Sequence, residues 1–311
     1  MSIKEALKRL IKNKETRAKL MQSFTKFVPD KPMLMLLYYI STGKRLNLQN
    51  PVTLNEKIQW YKLNYRDPLM TRCADKHEVR NYVRDCGLDF LLSELIEVYN
   101  NADEILFDQL PEKCYIKCNH NSNGNILWDS TKEPDTEAIR KHLNRMLKNN
   151  AFYSSREWCY KDIQPRIIVE ELLENRVSDE GLIDINIFCF HGEPKMVLYN
   201  VGLVDSTGGH AIGRRAVFDE NFNELRVETA MESLPFGSVE KPTQFDNIIQ
   251  YAKILSKPFP FVRVDFFYTI DSVYFGELTF YSAGGYGKYS PDEWNYTMGD
   301  WFELPEKTKL D

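Results

Sequence analysis

The sequence predicts an α+β protein, and three observations carry that expectation. Residues 1–90 hold apolar side chains at helical spacing, punctuated by glycines that suit helix ends. Residues 91–178 mix strand-like runs with one helical stretch. Residues 179–311 alternate apolar and polar side chains over several short runs, broken by a single helix-period segment. No internal repeat or low-complexity tract divides the chain, so it reads as one α+β unit with a helical region in front.

The elements follow in order. "KPMLMLLYYISTGK" is too short to cross a bilayer and predicts a buried helix ending near Gly43. "TLNEKIQWYKLNY" opens with Thr53 and places Glu56 three residues on, the pattern of a capping box. "ADKHEVRNYVRDCG" predicts a helix that stops at Gly87. Strands are expected at "CYIKCN", "NILWD" and "RIIVEELL", around a helix "TEAIRKHLNRMLKNN". Further strands are expected at "IDINIFCFHG", "PKMVLYNVGL", "RRAVFD", "FVRVDFFYT" and "SVYFGELTF", with the helix "QFDNIIQYAKILSK" among them.

With 311 residues, 43% hydrophobic and 13% aromatic, the chain can bury a sizeable core in two or three subdomains. No apolar run is long enough to span a bilayer, and "MSIKEALKRLIKNK" lacks the apolar centre of an export signal, so a cytoplasmic place is expected. The six cysteines then read as reduced thiols. Cys118 with His120, and Cys189 with His191, do not match the usual zinc-ligand spacings.

The net charge of -5 is unevenly spread. Residues 1–50 carry eleven Lys and Arg against three Asp and Glu, a net +8, which leaves -13 for the rest. Ile3, Leu7, Leu10 and Ile11 are spaced for an amphipathic helix with Lys4, Lys8, Arg9 and Lys12 between them. Such a helix would pack on the protein's own body, or rest peripherally on an anionic membrane at its inner face or on membrane-bound assembly machinery. No nucleic-acid partner is expected, because no binding motif is present and the acidic remainder repels phosphates.

The stretch "FVRVDFFYTIDSVYFGELTFYS" holds the most chemistry. A three-residue loop at Ile270, Asp271 and Ser272 would pair Asp265 with Glu277 and Arg263 with Thr279, and would place Val264 and Leu278 on the opposite, apolar face. Facing carboxylates repel unless a cation lies between them. Mg2+ held by both acids answers that need, and so does a plain Arg263–Asp265 ion pair with Glu277 left in water. A loop one residue shorter would send the two acids to opposite faces.

Lys117 poses the matching question, since a lysine inside the apolar run "CYIKC" needs an anion nearby. The small polar loop "NHNSNGN" follows it. An ammonium, exposed loop N–H groups and a carboxylate pair together suit a nucleotide triphosphate, although the order is not that of a P-loop, where the lysine follows the glycines. Lys117 also fits a plain edge-strand lysine.

Taken in order along the chain, "TLNEKIQWYKLNYRDP", "ADKHEVRNYV", "YIKCNHNSNG", "REWCYKDIQPRIIVEELLE", "FPFVRVDFFY" and "FGELTF" resemble the ATP-grasp superfamily, and within it the TupA-like branch associated with teichuronopeptide and surface-polysaccharide assembly. The resemblance implies two α+β lobes gripping ATP, a central one at 91–178 and a C-terminal one at 179–311, after the helical region at 1–90. It implies that Lys117 contacts the ATP phosphates, under a loop that includes Asn119, His120, Ser122 and Gly124. Glu170, Glu171 and Leu172 would line the adenine pocket, with Glu174 reaching the ribose. Asp265 and Glu277 would bind Mg2+, Arg263 would offset charge on the transferring group, and Arg215 would lie near the phosphates. Thr279 stands where many relatives have Asn, a stronger metal ligand. Asn186 stands where TupA-like relatives often have Lys, so one phosphate contact would be either missing or supplied by Arg214.

The resemblance implies an ATP-dependent carboxylate–amine ligase that joins an amine or amino acid to a carboxylate through an acyl phosphate, modifying a precursor of a surface polysaccharide such as a capsule. Gly284, Gly285 and Gly287, with Lys288, would shape the acceptor pocket. Two rivals remain. A metal-dependent glycosyltransferase commonly uses D-x-D, and no two aspartates here stand two apart. A non-catalytic nucleotide-binding scaffold has no need of facing carboxylates.

Overall fold

The computed structural model describes residues 28–121, 125–173, 182–203, 213–269 and 272–308. The basic helix expected at residues 3–12, together with Ser122, Gly124 and Glu174, lies outside them.

Helix α1 (Asp30–Thr42) ends as its sequence predicts, with Gly43 at φ +73° and its N–H donating to Tyr39 O. Helix α2 (Leu54–Asn64) opens with the expected capping box: Thr53 Oγ1 accepts the Glu56 N–H, and Glu56 accepts the Thr53 N–H at 3.2 Å. The next segment departs from expectation. Instead of one helix from Ala74 to Gly87, α3 (Pro68–Ala74) stops, and α4 (Val79–Asp85) starts afresh. The reason is partly local and partly distant. Asp75 Oδ1 accepts the N–H groups of His77 and Glu78, while Lys76 N–H donates to Asn119 O across the fold. The break leaves Lys76 free to point away from either helix.

A four-stranded antiparallel sheet comes next, in the order β1 (Leu95–Tyr99), β4 (Ile167–Glu171), β2 (Lys113–Cys118), β3 (Ile126–Asp129). Helix α5 (Thr136–Leu147), capped by Asp135, closes one face: Leu143 and Met146 share a core with Cys114, Ile116, Cys118, Ile167 and Val169. Alternation therefore puts Tyr115, Lys117, Ile168 and Glu170 on the other face. A short helix, α6 (Ala151–Ser155), leads back toward β4.

The larger sheet has the order β10 (Val273–Thr279), β9 (Phe261–Tyr268), β5 (Ile183–Phe190), β6 (Glu193–Val201), β7 (Arg214–Phe218), β8 (Glu232–Ser233), with only β7 and β8 parallel. Val262, Val264, Phe266, Ile185, Ile187 and Leu278 pack in one core with helix α7 (Phe245–Ser256). The same core takes in Leu54, Ile58, Tyr61, Met70, Val79 and Tyr82, so α2 to α4 belong physically with the large sheet.

β1 and a last helix, α8 (Glu293–Trp301), like the short α6 and β8, have no counterpart in the sequence reading. β1, "LIEVY", is a half-exposed edge strand with one pairing partner, so its pattern lacks strong contrast. Helix α8 holds two tryptophans, a tyrosine and Gly299, residues of modest helix propensity. Gly299 is there for packing: a Cβ would lie 2.0 Å from Val52 O, just before α2. Gly299→Ala should destabilise the fold by about 2 kcal/mol through overpacking, read as a lower urea midpoint.

Candidate active site

The β9–β10 hairpin places its acids by two deviations that cancel. Thr269 N–H donates to Ser272 O, and Tyr268 pairs with Val273, so the connection is one residue shorter than the three-residue loop expected. That register alone would separate the acids. The ladder then shifts between Phe275 and Glu277, with Gly276 as the extra residue, and from there Asp265 faces Glu277 and Arg263 faces Thr279 as expected. A Cβ on Gly276 would lie 3.0 Å from Asp265 O, so glycine lets the bulge sit against the strand it corrects.

On this shared face Arg263 holds Asp265 through both nitrogens of its fork, Nε to Oδ1 at 2.7 Å and Nη2 to Oδ2. Nη2 also reaches Thr279 Oγ1 at 3.1 Å, and Thr279 Oγ1 donates to Glu277 Oε1 at 2.8 Å. Lys76 Nζ donates to Glu277 Oε2 at 3.3 Å. Burial alone would raise the Glu277 pKa, but Lys76 and Arg263, with the hydrogen bonds from Thr279 and Lys76, hold it at about 2. Asp265 moves the other way. Burial pushes it up, Arg263 opposes, and the charges of Glu277 and Asp184 add to the rise.

Next along the sheet, Asp184 and Asn186 on β5 are linked to β7. Arg215 Nε donates to Asn200 Oδ1 at 2.6 Å, Asn200 Nδ2 donates to Asn186 Oδ1 at 2.8 Å, and Asn186 Nδ2 donates to Asp184 Oδ1. Burial raises Asp184 to about 6, against the pull of Arg263, and lowers Arg215 to about 10. Asn186 faces Asp265 directly across β5 and β9.

On the small sheet the anion beside Lys117 is Glu170. Lys117 Nζ donates to Glu170 Oε2 at 2.8 Å, and Arg80 Nη1 donates to Oε1 at 2.9 Å. Glu170 stays below its ordinary pKa despite burial, held there by Lys117 and Arg80, with Lys76 adding its charge. Lys76 thus acts electrostatically on carboxylates of both sheets. Glu170→Gln would leave the buried Arg80 guanidinium facing a neutral amide, and should destabilise the protein by about 2 kcal/mol in denaturant titration.

The residues after Lys117 serve as anchors. Asn119 is fully buried: its Nδ2 donates to Asp75 Oδ1 and Gln164 O, both at 2.9 Å, and its Oδ1 accepts the Arg166 N–H. His120 Nε2 lies 2.9 Å from Asn149 O, and burial lowers its pKa. These two side chains are committed inside the protein at the root of the loop. Glu171 Oε1 accepts the Glu94 N–H at 2.8 Å, and Leu172 follows β4, half-buried.

After β10 the turn Ser282–Gly285 is gripped by α2. Gln59 Nε2 donates to Gly284 O and Gly285 O, Lys62 Nζ to Gly284 O, and Asn55 Nδ2 to Gly287 O. Asn55, Gln59 and Lys62 are spaced four and three apart, so they form one face of the helix. Gly285, at φ +71°, leaves room for Gln59, whose Nε2 would be 2.3 Å from a Cβ there. The turn in turn offers Ser282 Oγ to Arg263 Nη1 at 3.4 Å. Lys288 is exposed.

Lys76, Arg80, Asp184 and Asn200 are the site residues that sequence reasoning missed. Asp184 had a legible signal, since it shares with Asn186 the polar side of an otherwise apolar strand. Among the described residues no three His, Cys, Asp or Glu side chains gather into a metal cage. Two facing carboxylates and a hydroxyl, one acid raised by burial and by the neighbouring carboxylates, fit Mg2+ that completes its shell with water and phosphate oxygens.

The family described as TupA-like ATPgrasp matches residues 56–303. No curated protein matches the sequence. Among solved structures, an L-amino acid ligase from Bacillus licheniformis aligns with TM-score 0.46 at 12% identity, over 79% of this chain and 54% of that one. D-alanine–D-alanine ligase from Bacillus anthracis, complexed with ATP, aligns with TM-score 0.36 at 15% identity, over 67% and 53%. The D-cycloserine synthetase DcsG gives TM-score 0.39 at 12% identity, over 68% and 64%. The chain therefore spans between about half and two thirds of the length of these structures. The family match runs from α2 past the β9–β10 hairpin and takes in Lys76, Lys117, Glu170, Arg263, Asp265 and Glu277: the chain belongs to the TupA-like ATP-grasp family.

Proposed function

We propose that the chain is an ATP-dependent carboxylate–amine ligase that forms an amide through an acyl phosphate. The observation that carries this reading is the position of Lys76, whose ammonium bonds Glu277 on the large sheet and acts on Glu170 on the small one. Lys117, Lys76 and Arg263 thus bring three cations from three parts of the chain to one region, two of them bonded to the carboxylate pair.

In this reading Lys117 and Lys76 bind the triphosphate, exchanging their carboxylate partners for phosphate oxygens. Asp265 and Glu277, with Thr279 as a weaker ligand, hold Mg2+. The metal, when bound, neutralises phosphate charge and aligns the γ-phosphoryl group. Arg263, pinned by Asp265, Thr279 and Ser282, offsets the charge that develops as that group moves. Arg215, positioned through Asn200, adds a second guanidinium. Asn119 and His120 anchor the loop that includes Ser122 and Gly124, so closure over the phosphates would use loop backbone N–H groups and exclude water. Glu170 is engaged with Lys117 and Arg80, so the end of β4 would offer backbone atoms and Leu172 to adenine, with Glu171 and Glu174 flanking the base and ribose.

A substrate carboxylate oxygen attacks the γ-phosphorus and ADP departs. The amine nitrogen then attacks the acyl carbon, phosphate leaves with the C–O electron pair, and the amine loses a proton. No nucleophile from the protein is needed. A role on a surface-polysaccharide precursor is supported by the TupA-like family alone.

Incubation with Mg-ATP, a panel of uronic and amino acids, and hydroxylamine should yield ADP, phosphate and a hydroxamate. Turnover of a sugar nucleotide with no use of ATP, or ATP binding without any product, would reject the reading.

A further inference from the structure

Helix α1 is apolar around its whole circumference, yet only half of it is covered. From Pro32 to Ile40 it carries no charged side chain. Met33, Leu34 and Tyr38 are buried, and Leu34 and Tyr38 pack with Leu46 and the partly buried Leu48, Leu63 and Tyr286. Met35, Leu36, Tyr39 and Ile40 face outward and are 46%, 53%, 58% and 54% exposed. A helix resting against its own protein normally turns polar residues to water, and four large apolar side chains in one stripe mark a surface that meets something. Tyr296 on α8, 48% exposed, extends the patch, because Lys44 just past α1 pairs with Asp292 at the start of α8.

Charge decides among the occupants. Lys31 and Arg45 are exposed at the two ends of the stripe. The segment before it, residues 1–27, holds eight Lys and Arg against two acidic residues. In a two-fold dimer built on this patch, each copy would present the same basic surface to the other. A surface of anionic phospholipid instead offers headgroup phosphates to the basic groups and acyl chains to the apolar stripe. Thirteen helical residues extend about 20 Å. That is short of a bilayer's hydrocarbon thickness, and no described helix is long and apolar enough to cross one.

We propose that the outward face of α1, framed by Lys31 and Arg45, docks the protein flat on an anionic phospholipid bilayer. Docking of this kind would hold the site near substrates carried on lipid, and it stands whether or not the ligase reading holds.

The test uses the full chain with sedimenting vesicles of phosphatidylglycerol mixed with phosphatidylcholine, and of phosphatidylcholine alone. The chain should bind the mixed vesicles about tenfold more tightly than the neutral ones, and lose that advantage at high salt. The double variant Leu36→Asp, Ile40→Asp should bind the mixed vesicles about tenfold more weakly, with an unchanged melting curve because both side chains lie outside the core. Lys31→Ala with Arg45→Ala should weaken binding to mixed vesicles only. Equal binding to both vesicle types, no binding by the parent chain, or undiminished binding by the aspartate variant would overturn the proposal. So would a stable dimer in solution that the aspartate variant dissociates, since a second copy would then be the occupant.

Discussion

Asp265→Asn should lower ADP and hydroxamate formation by about a thousandfold, while the melting temperature stays level or rises. The activity loss follows from the charge required at that position: an amide in place of the carboxylate removes one of the two acids that would hold Mg2+, and it loosens the fork that aims Arg263. The stability result follows from the same geometry with the opposite sign. Burial and the charges of Glu277 and Asp184 raise the Asp265 pKa, so its ionised form is disfavoured in the folded protein. A neutral residue of the same shape relieves that repulsion, and Arg263 keeps Thr279 and Glu277 as partners. Parental turnover by this variant would remove the hairpin from the mechanism.

Lys76→Met should raise the KM for ATP and lower kcat/KM by about a hundredfold, because it removes one of the two lysines proposed to bind phosphate. Methionine preserves most of the apolar stem, so packing between α3 and α4 should persist. Glu277 should respond in the free protein as well. With the Lys76 ammonium gone, its carboxyl should titrate above its present value of about 2, observable by NMR of a labelled side chain. A KM for ATP matching that of the parent chain would show that Lys76 only braces Glu277.

These two variants also mark where sequence reasoning succeeded and where it stopped. The joint placement of Arg263, Asp265, Glu277 and Thr279 was legible because alternation assigns residues two apart to one face. It came out right because the shorter turn, which alone would have separated the acids, is offset by an unforeseen bulge at Gly276. Gly276 stood in plain view in "YFGELT", but a glycine in a strand signals a bulge without saying which way the register moves. Asn119 and His120 looked like loop residues open to a ligand. Their burial depends on Asp75, Gln164 and Asn149, none of which neighbours them in sequence.

The sequence alone determined the α+β class, the cap at Thr53, the helix end at Gly43, the strand bearing Lys117 and the polar face of the hairpin, because each rests on interactions among residues a few positions apart. Only the tertiary structure decided that Lys76 N–H pairs with Asn119 O at the helix break, that Glu170 is the anion beside Lys117, and that Lys76 reaches Glu277. Lys76 and Glu277 are 201 residues apart. A contact at that separation forms because two sheets and a helical layer bury their apolar faces together, and no local period records which polar side chains that packing will bring into reach.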